Sequence, residues 1–415
     1  MKKILHISII ICLSFIYLFS GCSKDSQTSQ EKKDEFYEQN RLITLGIFTP
    51  VMYSNEERAT GELFKSELFK IVHISDAHVS PWSQGNNCNN PNNIKEAVKF
   101  ANDQNTRINA MVATGDYISN HLSTTRTEVL NYMNIFTEAL YRQNNIPTFT
   151  STGNHDTNML NPNFLSFALS KTDIYNHLTA KINHQIYSEG IENYYYTDLP
   201  NPMGGTIRII ALDVTDQDEM LYTAQHNAIL SQKQINWLCH TALKKDMTEL
   251  HSVIILIHHP LPHDEESLKK IAYNQYLYDW NMLPEIIETF RTKQTLTKKY
   301  RNKLLVSDSI SVDVSFSNSP GEFVCYLGGH LHTYINYEVK CSIASTLPPQ
   351  IMIIANNMSP NEQNPLSPIE RSETGLQNNT FNLYAIDTKK KMIYVTFFGA
   401  TGFYYPQVLT LQYLQ

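Results

Sequence analysis

Five short apolar runs in this chain each end on a cluster of Asp, His or Asn. Phe69 to Ser75 (FKIVHIS) runs into Asp76 and His78, Ile108 to Thr114 (INAMVAT) into Asp116, and Ile146 to Thr152 (IPTFTST) into Asn154, His155 and Asp156. Ser252 to Ile257 (SVIILI) ends at His258, and Phe323 to Leu327 precedes GGHLH, which carries His330 and His332. Runs of this length and composition read as strands. Between them, Ile94 to Gln104, Thr127 to Gln143 and Ser231 to Leu243 space their apolar residues as helices do. With the further run Thr206 to Leu212, the alternation predicts an α/β fold and argues against a sandwich of hairpins. After residue 320 the pattern turns to strands alone, at Tyr334 to Val339, Gln350 to Ile354, Phe381 to Asp387 and Met392 to Phe398.

The first residues point to export. Lys2 and Lys3 precede an apolar run from Ile4 to Phe19, interrupted by His6, Ser8 and Ser14, and small residues then lead to Cys22. That run is too short for a comfortable span of about 20 apolar residues, and its layout is that of a signal peptide. Ser20, Gly21 and Cys22 resemble the end of a bacterial lipobox, in which the cysteine is lipidated and becomes the new N-terminus, although Phe19 replaces the usual Leu. The resemblance implies a protein of the cell envelope, periplasmic or surface-exposed, anchored to the membrane through Cys22. Residues 1–21 are then a removable signal, 22–66 a lipidated tether and N-terminal extension whose polar stretch 23–40 has no expected fold, and 67–415 one large domain.

The formal net charge of -7 over 415 residues disfavours a nucleic-acid duplex as partner, because a backbone grip needs basic surface. Removing Lys2 and Lys3 with the signal takes this to -9, that is -7 minus 2. Cys88, Cys239, Cys325 and Cys341 show no CxxC spacing, and buried free thiols are expected; Cys325 and Cys341 are the pair to test for a bridge. Residues 264–318 form an insertion with an aromatic cluster (Tyr273, Tyr276, Tyr278, Trp280) and a serine-rich stretch, read either as a substrate-shaping lid or as internal packing.

Clusters at strand ends are meaningful because ligands in open α/β sheets collect outside the carboxyl ends of strands. Imidazole, carboxylate and amide oxygen together suit Zn, Mn or Fe. With 15 Gly and 15 His in 415 residues, GHxH arises by chance about 0.02 times, so its presence carries weight that a lone DxH or GD does not. In order, DxH, GD, GNH followed by Asp, a lone His after a strand and GHxH resemble the calcineurin-like metallophosphoesterases over roughly residues 69 to 400. The resemblance implies an α/β sandwich of two mixed sheets flanked by helices, and two divalent metal ions of unspecified identity. It places Asp76, His78 and His332 on one ion, Asn154, His258 and His330 on the other, and Asp116 between them. It further implies His155 as general acid, with Asp156 orienting and charging that imidazole; the alternative for Asp156 is a helix cap. His259 and His263 are left as pocket lining or packing, Tyr117 as packing, and His121 as a loop residue. Ser119 stands where purple acid phosphatases have a metal-binding Tyr, which argues against a purple Fe(III) centre.

The expected activity is therefore hydrolysis of a small phosphate monoester or diester outside the cytoplasm. The rival reading is a surface lipoprotein that binds metal or ligand without catalysis. Serine hydrolase chemistry is disfavoured because no GxSxG is present.

Overall fold

The computed structural model describes residues 67–80, 90–119, 124–158, 166–216, 228–263, 279–301, 309–359, 378–400 and 409–414. The first half of the domain contains β1 (Phe69–Ile74), α1 (Asn90–Asn102), β2 (Ala110–Thr114), α2 (Arg126–Tyr141), β3 (Thr148–Ser151), α3 (Lys171–His177), β4 (Tyr195–Pro200) and β5 (Thr206–Ala211). It continues with α4 (Gln232–Trp237), β6 (His251–Leu256), α5 (Met282–Arg291), β7 (Thr295–Arg301), β8 (Ser309–Ser315) and β9 (Glu322–Gly328). Last come β10 (Ile335–Val339), β11 (Gln350–Ile354), β12 (Thr380–Asp387), β13 (Met392–Gly399) and β14 (Leu409–Gln412).

Two six-stranded sheets result, in spatial order β14-β13-β12-β1-β2-β3 and β10-β11-β9-β6-β5-β4. Each has a parallel block, β1-β2-β3 in the first and β5-β6-β9-β11 in the second, with antiparallel strands outside it. The pleat explains why the blocks read as unbroken apolar runs. On β1, Ile71 faces the opposite sheet while Val72 and Ile74 face the helices, so both sides of the strand are buried. On β6, Ile254 and Leu256 meet Ile71 and Val112 between the sheets, whereas Val253 and Ile255 face the outer cluster around Trp237, Ile286 and Phe290. The layers are thus helix, sheet, sheet, helix, the expected fold class. Truncating a central residue such as Ile254 to Ala would cost about 2–5 kcal/mol.

Local differences have local causes. The helix expected from Ser231 starts on schedule, with the Ser231 hydroxyl accepting the Gln234 N–H, but widens into a π-turn over Leu238–Ala242. The described part of the 264–318 insertion is α5 and the β7–β8 hairpin, and it packs into the outer core through Leu296, Tyr300, Ile310, Val312 and Val314. Trp280 packs against the same cluster, while Tyr273, Tyr276 and Tyr278 lie outside the described residues. The serine-rich stretch is therefore β8, a strand with one buried face. Cys239, Cys325 and Cys341 are free thiols; Cys88, His121 and residues 1–66 lie outside the described residues. Tyr117 packs as expected, stacked on Phe136 at 4.2 Å with its hydroxyl donating to the Ala113 carbonyl at 2.8 Å. Among the described residues, no helix is long and apolar enough to cross a membrane.

Candidate metal centre

Asp76 and His78 follow β1, Asp116 follows β2, and Asn154 follows β3, all from the first sheet; His258 follows β6 and His330 and His332 follow β9, from the second. The carboxyl ends of both parallel blocks therefore open on one crevice. Donor atoms of Asp76, His78, Asp116 and His332 all lie within 4.8 Å of one another, as do those of His258, His259 and His330. The two groups meet at Asp116, whose Oδ2 is 3.1 Å from His258 Nε2. Asn154 joins the second group through Oδ1, 3.0 Å from His330 Nδ1. In the first, His332 Nε2 lies 3.0 Å from His78 Nε2 and 3.3 Å from Asp76 Oδ1.

The backbone is bent to make this convergence. Asp76, His78, Asp116, His330 and His332 all have left-handed backbones, with φ of 51°, 45°, 53°, 73° and 51°. Residues other than Gly, Asn and Asp pay about 1–2 kcal/mol for that conformation, and such strain gathers at functional sites. The glycines beside them are required by close approach. A Cβ on Gly115, itself at φ +85°, would sit 2.6 Å from His258 Nδ1, and one on Gly153 would sit 2.3 Å from Asp116 Oδ1.

Behind the donors lies a shell of hydrogen bonds. His258 Nδ1 donates to the Thr114 carbonyl at 2.5 Å, which turns Nε2 towards Asp116. The Thr114 hydroxyl donates to Ser75 Oγ at 2.9 Å and pairs with His73 Nε2 at 2.8 Å, while His73 Nδ1 pairs with the Tyr384 hydroxyl at 2.8 Å. Both Asp76 oxygens accept the His330 N–H at 3.1 Å, locking the β1 loop to the β9 loop.

The electrostatics suit a cation. Burial and neighbouring imidazoles hold His78 and His330 well below the usual histidine range, so both stay neutral. For Asp116, burial favours the neutral acid, but the imidazoles of His258, His155 and His78 outweigh it and hold the carboxylate ionised. Burial also works against a charged His258; Asp116 outweighs it and raises His258 to about 9. Neutral imidazoles and ionised carboxylates are what coordination demands, and the raised His258 imidazole carries a proton that a cation would displace. His258 Nε2 is buried and makes no hydrogen bond of acceptable geometry. The donor set and this orphaned atom fit divalent ions.

His155 sits at the rim, its Nε2 3.9 Å from Asp116 Oδ2, its ring edge-on to His78 at 4.9 Å and its N–H bonded to Asp116 Oδ1 at 2.9 Å. Asp156 takes a different part from the one expected. Its Oδ2 accepts the N–H groups of Gly153 at 2.8 Å and Asp116 at 3.1 Å, and its Oδ1 that of Tyr117 at 2.8 Å. Three backbone donors use both oxygens, so the carboxylate braces two loops and caps the short turn Asn154–Thr157 instead of orienting the His155 ring. Burial first, then the Asp116 carboxylate, raises Asp156 to about 8. His259, left as lining or packing by the sequence, stacks on His330 at 4.3 Å and belongs to the second group of donors. Its neighbour His258 marks the place, but which of two adjacent imidazoles reaches a site depends on where the strand ends.

The family model for calcineurin-like phosphoesterases matches residues 69–334. No curated protein matches the chain.

Proposed function

From the premise that this chain belongs to the calcineurin-like phosphoesterase family, we propose that it is a metal-dependent hydrolase of phosphate monoesters or diesters. Asp76, His78 and His332 would hold one divalent ion, Asn154, His258 and His330 a second, and Asp116 would join them. When bound, the ions would offset phosphoryl charge and lower the pKa of a water so that hydroxide is available at neutral pH. Asp116 supplies the negative charge shared by the two donor groups, and left-handed backbones at Asp76, His78, Asp116, His330 and His332 turn those donors into the crevice. His155, 17 % exposed at the mouth of the site, is placed to protonate the departing alkoxide. Asp156 holds the His155 turn against the Asp116 loop.

The observation that carries this reading is the convergence of side chains from five separate loops, with the Asp116 carboxylate where the two donor groups meet. Asp116→Asn and His330→Ala should each abolish hydrolysis of an aryl phosphate while circular dichroism keeps the wild-type signature. Full activity in Asp116→Asn would sink the two-ion mechanism. Elemental analysis with a panel of nucleotides, sugar phosphates, phospholipid head groups and cyclic diesters would name metal and substrate. We also propose export and anchoring in the bacterial envelope through Cys22. Cys22→Ser should stop incorporation of labelled palmitate, and unchanged labelling would refute the anchor.

A further inference from the structure

Thr152 lies between the end of β3 and the donor Asn154, and it is 1% exposed. Its hydroxyl donates to Oδ1 of Asp213, a residue just beyond β5 that is likewise 1% exposed. Because β3 belongs to one sheet and β5 to the other, this bond crosses the sandwich at the floor of the crevice. Asp213 is itself held from several sides. Its Oδ1 accepts the Thr215 N–H at 2.8 Å and hydroxyl at 2.7 Å, and the Gln234 side chain takes its N–H at 2.8 Å and gives to its carbonyl at 2.9 Å. Gln234 also donates to Asp216 at 3.2 Å, whose other partners are Lys171 and the Ser231 hydroxyl. The chain of bonds therefore anchors Thr152 to the start of α4 and to α3.

We infer that Asp213 is a positioning residue: through Thr152 it sets the Gly153–His155 turn, and with it the placement of Asn154 as a metal donor. The inference rests on the metal reading given above. The turn has little room to compensate, because Gly153 already packs against Asp116 so closely that a Cβ would lie 2.3 Å from Asp116 Oδ1. The approach from the β3 side is set by the Thr152 bond to the second sheet. Partners that orient donors typically change metal affinity or activity by about 10–100-fold when removed.

The test is calorimetric titration of Mn²⁺ into the metal-stripped full chain, for wild type and three variants. Thr152→Val keeps the side-chain shape without its hydroxyl and should weaken one of two Mn²⁺ sites by about 10–100-fold, leaving the other unchanged. Thr152→Ser restores the hydroxyl and should return that site to within about threefold of wild type. Asp213→Ala should weaken the same site, and the Thr152→Val/Asp213→Ala pair should lose no more than Asp213→Ala alone, since both cut one bond. Wild-type Mn²⁺ binding in Thr152→Val, whatever its melting temperature, overturns the inference, as does additive loss in the double variant. The wild-type titration tests the metal reading by itself: two sites without phosphate ester hydrolysis would refute the proposed activity and still let Thr152→Val decide the positioning role.

Discussion

The carboxylate of Asp156 accepts the backbone N–H of Asp116 at 3.1 Å, so the residue at the centre of the donor groups is held from behind by a second acid forty positions later. An amide at this position would turn an N–H₂ group towards backbone N–H donors. Above pH 8, where Asp156 is ionised, Asp156→Asn should therefore lose about 1–3 kcal/mol of stability, read as a shift of the urea midpoint at unchanged slope. A wild-type midpoint would contradict the brace.

Glycine 115 should tolerate no side chain. Gly115→Ala meets both left-handed strain, about 1–2 kcal/mol, and the His258 ring at 2.6 Å, so metal content and rate should fall together. Gly190 has φ +88° and open space around its Cβ position. Gly190→Ala is thus the control, expected to lose stability and keep the wild-type kcat. Equal effects on rate would show that strain alone is responsible.

A third prediction concerns pH and the buried hydrogen-bond network behind the site. Burial lowers His73 to about 3 from 6.5, with the Asp76 carboxylate offsetting part of the shift. The folded chain keeps His73 neutral where the unfolded chain binds a proton, so this group's contribution is complete above about pH 6.5 and is lost as pH falls towards 3. The slope is at most about 1.4 kcal/mol per pH unit. His73→Gln, which retains a donor and an acceptor, should flatten the stability profile between pH 6 and pH 4 by up to one proton; parallel profiles would show that His73 does not titrate there.

His155→Ala tests the proton donor apart from the metal donors. General acids contribute about 10²–10⁴-fold, so kcat for a poor leaving group should drop by that order while Mn²⁺ stoichiometry stays at the wild-type value. An undiminished kcat would show that His155 is not the general acid.

The parallel blocks were legible because strands buried on both faces read as continuous apolar runs, and the Gln350–Ile354 run coincides with β11. The polar, half-buried pieces were harder. In β8 the residues Ile310, Val312 and Val314 alternate with Ser and Asp, a period-two signal masked by the serine content. β4 (YYTDLP) mixes aromatic and polar residues and ends on Pro200, so it lacks a clear pattern. At the site, donor residues announce themselves by type and order. What Asp156 does is invisible in sequence, since its partners are backbone N–H groups. Likewise, nothing in IHHP shows that His259 stacks on His330. Thr152 and Asp213 sit in ordinary strand-end contexts, and only the packing of two sheets brings them together.

Of the seven donors expected from sequence, four come from the loops of one sheet and three from the loops of the other, so the crevice is also a seam. An ion held across it would act as a rivet between two halves otherwise joined by apolar packing and by hydrogen bonds such as Thr152 to Asp213, and its binding free energy would add to their cohesion. Chelator resistance would then bear on the seam as well: an ion lost slowly to a chelator would mark a crevice whose two sides stay closed.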